Sequence, residues 1–101
     1  MITADFTILP IGSESTGCKE YVSAAVQAIK DSGLDYQLTG MGTQIEAKNL
    51  KELYDAIAKA QEAVFETGVG RVYTVIKIDD RRDCENRTLN AKIESVEKIL
   101  D

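Results

Sequence analysis

Two carboxylates, Asp5 and Glu46, occupy positions from which they can act together on a small molecule. Each lies in a segment where apolar and polar residues alternate, as in a β-strand, and we expect these strands to be neighbours in one sheet. A carboxylate there accepts a hydrogen bond from a heterocycle or faces a cation. A catalytic pair would need one strongly raised pKa, and no sequence pattern indicates the burial that this requires. Tyr36 and Tyr73 carry rings that can stack on a planar ligand.

The segment 79–83 contains the densest charge cluster of the chain, with Arg81 and Arg82 at its centre. Arginine presents a rigid fork of donors that fits a carboxylate or a phosphate. The segment is therefore a candidate anion site, or an ion-pair contact between subunits. The alternative is a solvated loop whose charges pair with one another, each exposed pair contributing less than about 1 kcal/mol.

Composition narrows the classes of function. The 101 residues include no histidine, which removes Ser-His and Cys-His nucleophiles, histidine-based zinc sites and the commonest general base. We predict no catalytic residue, no metal and no cofactor. The formal net charge of −5 argues against nucleic acid as a partner, because that binding needs a basic face. The two cysteines, Cys18 and Cys84, lack CxxC spacing and are expected to be reduced thiols.

The same sequence predicts a soluble, intracellular protein with no membrane as a partner. No apolar run approaches the ~18 residues of a membrane span. The N-terminal segment is interrupted by Asp5 and has no basic start, so we do not expect it to be a signal peptide.

Hydrophobic periodicity predicts the elements that position these side chains. Strands with a period of two are predicted at 2–9, 36–39, 44–48 and 71–79. Three amphipathic helices are predicted, the first capped by Ser15 or Thr16, the second by Asn49 and the third by Thr88. The order β-α-β-β-α-β, with an added C-terminal helix, predicts a single ferredoxin-like α+β domain over 1–101. Its four antiparallel strands should carry two helices on one face.

This order also predicts what the other face of the sheet carries. Asp5, Thr7, Glu46 and Tyr73 should point away from the helices, either into solvent or into a sheet-to-sheet contact between subunits with a ligand nearby. Gly40–Gly42 is predicted to be a hairpin turn whose glycines have positive φ. The sequence leaves open whether the pocket lies within one subunit or between two. It also leaves open what the last helix packs against.

Three blocks of sequence occur together and in order: Leu-Pro-Ile-Gly at 9–12, Tyr-x-Leu-Thr-x-Met-Gly-Thr-x-Ile-Glu at 36–46, and Lys-Ile-Asp-Asp-Arg-Arg-Asp at 77–83. In combination they resemble the small single-domain thiamine-binding-like proteins, an uncharacterised family. That family is similar to the tandem-domain YkoF proteins, which bind hydroxymethylpyrimidine and thiamine. The resemblance covers nearly the whole chain. One departure is Ala47, where the family often has glycine, and it affects fine ligand geometry rather than the fold.

The resemblance implies a ferredoxin-like fold, a homodimer or homotetramer built through the sheets, and a cytoplasmic location. It also implies that thiamine or its pyrimidine moiety is bound without turnover. The side chains that suit such a ligand are Asp5, Thr7, Tyr36, Thr39, Thr43, Glu46 and Tyr73. Carboxylates balance the cationic thiazolium, and a tyrosine face attracts it by about 0.5–2 kcal/mol.

Two other functions compete with this one. An oligomeric regulatory or interaction module would bind an anionic metabolite through Arg81 and Arg82. An acyl-phosphate hydrolase is disfavoured, because ferredoxin-like enzymes of that class use an arginine near the first strand and segment 10–17 contains none.

Overall fold

The computed structural model describes residues 1–12, 19–84 and 88–100. Its elements are β1 Ile2–Pro10, α1 Lys19–Asp31, β2 Tyr36–Leu38, β3 Thr43–Ala47, α2 Leu50–Phe65, β4 Val72–Asp80 and α3 Leu89–Glu97. The strands form one antiparallel sheet in the order β2-β3-β1-β4. The predicted ferredoxin-like α+β fold is confirmed, and no strand end differs from its predicted place by more than one residue.

The core lies between the sheet and helices α1 and α2. Along β1 the even-numbered side chains from Ile2 to Ile8 are buried, and they pack in one core with Ile29 of α1 and Leu53 of α2. Full burial of a phenylalanine, isoleucine or leucine side chain contributes about 1.5–3 kcal/mol to stability. The period of two along β1 therefore selects which face of the sheet receives the helices.

Two helix caps follow the prediction. The Asn49 side chain accepts a hydrogen bond from the Glu52 amide at 2.9 Å, and the Glu52 carboxylate accepts one from the Lys48 amide at 3.1 Å. Thr88 accepts a hydrogen bond from the Ala91 amide at 3.0 Å. These contacts satisfy amide groups that have no partner inside the helix. The predicted caps Ser15 and Thr16, and Cys18, lie outside the described residues.

The last helix, α3, lies on the face of the sheet that α1 and α2 leave free. The amide of Leu89 donates to a Glu46 carboxylate oxygen at 2.8 Å, and the Lys92 ammonium donates to the Thr3 hydroxyl at 2.7 Å. Thr3 faces away from the core but is only 4% exposed, consistent with α3 above it. The last helix therefore packs on its own sheet, which the sequence had left open.

Candidate ligand-binding site

The turn between β2 and β3 is organised by the hydroxyl of Thr39. That hydroxyl donates to the carbonyl of Gly42 at 2.8 Å and accepts from the amides of Met41 and Gly42 at 3.3 and 3.2 Å. A side-chain oxygen that bonds to nearby backbone groups in this way holds a tight turn without a longer strand ladder. The Thr39 hydroxyl is therefore already engaged in the turn.

The same turn lies directly against β1. The Thr7 hydroxyl donates to the carbonyl of Met41 at 3.3 Å. A Cβ atom built on Gly42 would lie 2.7 Å from Asp5 Oδ1 and 3.1 Å from the carbonyl oxygen of Phe6. The predicted positive φ was wrong for this turn, because neither Gly40 nor Gly42 is in the left-handed region. Gly42 is needed for a close approach of backbones, not for an unusual φ.

A cavity of about 300 Å³ lies between this turn, α1 and the second half of β1; we call it the turn cavity. Its lining residues are Phe6, Thr7, Ile8, Leu9, Val22, Ala25, Leu38, Thr39, Gly40, Met41, Gly42 and Thr43. The lining is mainly apolar, with three threonines. Apolar walls with a few polar groups are typical of small-molecule sites.

The register of the sheet explains why the cavity exists. The pairing of β1 with β3 runs from Ile2–Ala47 to Phe6–Thr43 and goes no further. The pairing of β1 with β4 continues to Pro10–Val72. Beyond Phe6, β1 therefore has a strand partner on one side only, and the turn cavity occupies the side from which β3 has turned away.

The predicted ligand residues fall into three groups in the structure. Thr7, Thr39 and Thr43 line the turn cavity. Asp5 is not among the lining residues, but its carboxylate lies beside Gly42 at the edge of the cavity. One of its carboxylate oxygens accepts a hydrogen bond from Gln44 Nε2 at 3.3 Å.

The other three lie away from the cavity. Tyr73 pairs with Leu9 on the outer face of the sheet. Tyr36 pairs with Ile45, so it belongs to the opposite face, at the edge of the sheet. Glu46 lies under the first turn of α3. The structure thus brings Asp5 and three threonines together and separates them from both tyrosines and from Glu46.

Glu46 belongs to a polar contact that holds α3 on the sheet. Besides the bond from Leu89 to Glu46, the Lys92 ammonium donates to both Thr3 and Asp79. The hydrogen bond from Lys92 is the main cause that lowers the pKa of Asp79 below its ordinary value of 3.8. A carboxylate beside the first amides of a helix is also favoured by the helix dipole. Glu46 thus lies on the outer face, as its strand position predicts, and its partner there is the first turn of α3.

The Arg81–Arg82 segment pairs within itself. Arg81 donates to both carboxylate oxygens of Asp83, at 2.8 and 3.0 Å, and Arg82 donates to Asp80 at 2.9 Å. The hydrogen bond from Arg81 is the main reason that the pKa of Asp83 is lowered. Both guanidinium groups therefore already face carboxylates, as the solvated-loop alternative predicts.

The outer face carries exposed apolar side chains at the end that α3 does not cover. These are Leu9, Tyr73 and Val75. On α3 itself the apolar residues Ile93 and Val96 are exposed, and none of the residues Leu89–Glu97 is buried. This is an apolar surface without a partner inside the described chain.

Two kinds of site are not found in the described part of the chain. Within residues 1–12, 19–84 and 88–100, no group of three or more histidine, cysteine, aspartate or glutamate side chains is placed to hold a metal ion. No helix described there has the length and apolar character to cross a membrane.

The chain is similar in sequence to known proteins over nearly its whole length. The family profile described as "Thiamine-binding protein" matches residues 4–97. The UPF0045 protein of Methanothermobacter thermautotrophicus is 50% identical over 100 residues, which cover 99% of this chain and 100% of that protein. The UPF0045 protein YqgV of Bacillus subtilis is 43% identical over 99% of this chain and 98% of its own.

Solved structures share the fold. The hypothetical protein MJ1052 of Methanocaldococcus jannaschii superposes with a TM-score of 0.84 at 31% identity, covering 96% of each chain. A Thermotoga maritima protein, TM0486, provisionally assigned to thiamine biosynthesis or salvage, superposes with a TM-score of 0.78, covering 94% of this chain and 97% of its own. Its identity of 19% makes that likeness one of fold alone.

Proposed function

We propose a function from one premise: this chain belongs to the family of thiamine-binding proteins. The protein binds thiamine or the pyrimidine moiety of thiamine without turning it over, and its role is sequestration or sensing. It acts in the cytoplasm as a homodimer or homotetramer, with no nucleic acid or membrane as a partner. The observation that carries the proposal is the turn cavity.

The chemistry of the turn cavity suits one flat ring. Its volume of about 300 Å³ lies at the lower end of the ~300–1,000 Å³ usual for ligand pockets, so the pyrimidine ring occupies it and the thiazolium stays near its edge. The Asp5 carboxylate at that edge attracts the thiazolium cation. At about 7 Å and an effective dielectric constant near 40, one such charge pair contributes roughly 1 kcal/mol.

The anion-binding alternative is not favoured, because Arg81 and Arg82 already pair with Asp83 and Asp80. An added anion would have to displace a carboxylate that is held within the same loop. The displacement costs the existing charge-assisted hydrogen bonds, which are stronger than neutral ones.

Calorimetric titration with thiamine tests the proposed site. We expect saturable binding in the low micromolar range, weakened about three- to tenfold in Asp5→Asn, in line with the loss of roughly 1 kcal/mol estimated for the charge pair. Asp35→Asn is the matched control: it makes the same charge change at an exposed residue outside the turn cavity. Equal weakening by both variants would show a general charge effect. No binding of thiamine or hydroxymethylpyrimidine would refute the function.

Self-association is tested at the outer face. Two tyrosines on different surfaces form a matched pair. Tyr73 on β4 is 55% exposed, and Tyr54 on α2 is 52% exposed. Tyr73→Glu should shift the sedimentation of the protein towards the monomer, because a stable interface must bury roughly 1,000 Å² or more without an unpaired charge. Tyr54→Glu should leave sedimentation unchanged. A wild-type monomer at high concentration would contradict the oligomer.

A further inference from the structure

Ile8 lies in β1 beside the turn cavity, at a place where the sheet is open. The last residue of β1 that pairs with β3 is Phe6, opposite Thr43. Ile8 is two residues further along, and it lines the turn cavity. The main-chain groups of Ile8 therefore point either at β4 or into the space that β3 has left.

The direction follows from hydrogen bonds at the two ends of β1. The carbonyl of Met1 accepts from the amide of Arg81 at 3.4 Å, and the amide of Ile11 donates to the carbonyl of Arg71 at 2.9 Å. Both groups belong to odd-numbered residues, Met1 and Ile11, and both point towards the β4 side. Main-chain polar groups alternate between the two sides of a strand, so those of even-numbered residues face β3 and the turn. The carbonyl of Phe6, which lies close to Gly42, agrees with this alternation.

The N–H and C=O of Ile8 consequently face the turn cavity. Within the ranges 1–12, 19–84 and 88–100, no strand residue continues β3 opposite Ile8. Two hydroxyls of the lining are occupied elsewhere, since Thr7 donates to Met41 and Thr39 donates to Gly42. Among the described residues, neither the amide nor the carbonyl of Ile8 has a hydrogen-bond partner in the turn. An unpaired main-chain donor and acceptor are costly in an apolar site. The site thus calls for a molecule that supplies both an acceptor and a donor side by side.

We propose that Ile8 reads the ligand through its main chain, and that the ligand class is a flat heteroaromatic ring with an amino group next to a ring nitrogen. The ring nitrogen accepts from the Ile8 amide and the amino group donates to the Ile8 carbonyl, as a further strand would. The aminopyrimidine of thiamine has this pattern, so the inference rests on the proposed function and deepens it. Specificity then resides in the open strand edge and not in a side chain.

Thiamine analogues separate this inference from the proposed function. In oxythiamine a carbonyl replaces the amino group, and the neighbouring ring nitrogen carries a proton. The ring N–H then faces the Ile8 amide, and the ring carbonyl faces the Ile8 carbonyl. We expect calorimetry to show oxythiamine binding at least about thirtyfold more weakly than thiamine, since mismatched buried polar groups are strongly rejected. Pyrithiamine keeps the aminopyrimidine and changes only the second ring, so it should bind within about fivefold of thiamine.

The side-chain alternative is tested in the same titrations. Thr43→Val removes a hydroxyl from the lining while keeping its shape, and the ratio of thiamine to oxythiamine affinity should persist. Amide hydrogen exchange gives a second readout: thiamine should add protection at Ile8, while Ala4, which faces Ile45 of β3, should be protected already without ligand.

A persistent ratio with new protection at Ile8 supports the inference. Equal binding of thiamine and oxythiamine overturns it and leaves the proposed function standing. A ratio that collapses in Thr43→Val also overturns it, because a hydroxyl would then be reading the ring. No thiamine binding overturns the proposed function, and the inference falls with it.

Discussion

Gly42 is the position at which a single methyl group should test the architecture of the site. A Cβ atom there would meet Asp5 Oδ1 at 2.7 Å and the Phe6 carbonyl oxygen at 3.1 Å, both closer than ordinary van der Waals contact. The Asp5 side chain can rotate away, but only by giving up its 3.3 Å hydrogen bond from Gln44. The Phe6 carbonyl belongs to the backbone that pairs with Thr43, so it cannot move without the strand.

We therefore expect Gly42→Ala to lower the free energy of unfolding by about 1–3 kcal/mol, the usual range for overpacking. Gly40→Ala is the matched control in the same turn. Gly40 has no heavy atom within 4 Å of a built Cβ and is not in the left-handed region, so alanine there should be neutral or stabilising by up to about 1 kcal/mol.

Urea unfolding at equilibrium measures both variants, and an unchanged m-value would show that the denatured state is unaffected. A double variant adds a sharper test. In an Asp5→Ala background the cost of Gly42→Ala should fall but not vanish, because the Phe6 carbonyl remains. Equal effects of the two glycine variants, or a full cost without the Asp5 carboxylate, would refute this account of the turn.

Three further predictions concern α3 and the caps. Lys92→Met should speed amide hydrogen exchange across Leu89–Glu97 with little change elsewhere, because it removes the hydrogen bonds to Thr3 and Asp79. Lys98→Met is the control. Equal exchange rates in the two variants would contradict the docking of α3 through Lys92. Folding lowers the pKa of Asp79. The contribution of Asp79 to the docking of α3 is therefore present above the ordinary carboxyl pKa of 3.8 and is lost as the pH falls through the lower folded value. Amide signals of α3 followed during an acid titration should show this step, and Asp79→Asn should abolish it. Asn49→Ala should cost about 1 kcal/mol in thermal or urea unfolding by loss of a cap, and an effect under about 0.3 kcal/mol would contradict the cap.

Much of the fold was predictable because it depends on neighbours in sequence. The alternation in β1 identifies its buried face, and the Asn49 cap depends on a residue three positions away. Such patterns are local, so the chain carries them before any tertiary contact forms. The candidate site was predictable only in part: Asp5 and the three threonines come together, whereas Glu46, Tyr36 and Tyr73 lie elsewhere.

The remaining features depend on residues far apart in the chain, and only the tertiary structure decided them. The sequence by itself determined the elements, their order and the faces of β1. It did not determine where the pairing of β3 stops, what α3 packs on, or why Gly42 has no side chain. Each of these depends on how closely two elements approach, such as Gly42 to the Phe6 carbonyl or the Leu89 amide to the Glu46 carboxylate. A periodic pattern specifies which way a side chain points along its own element, but it contains no information about how far away another element lies.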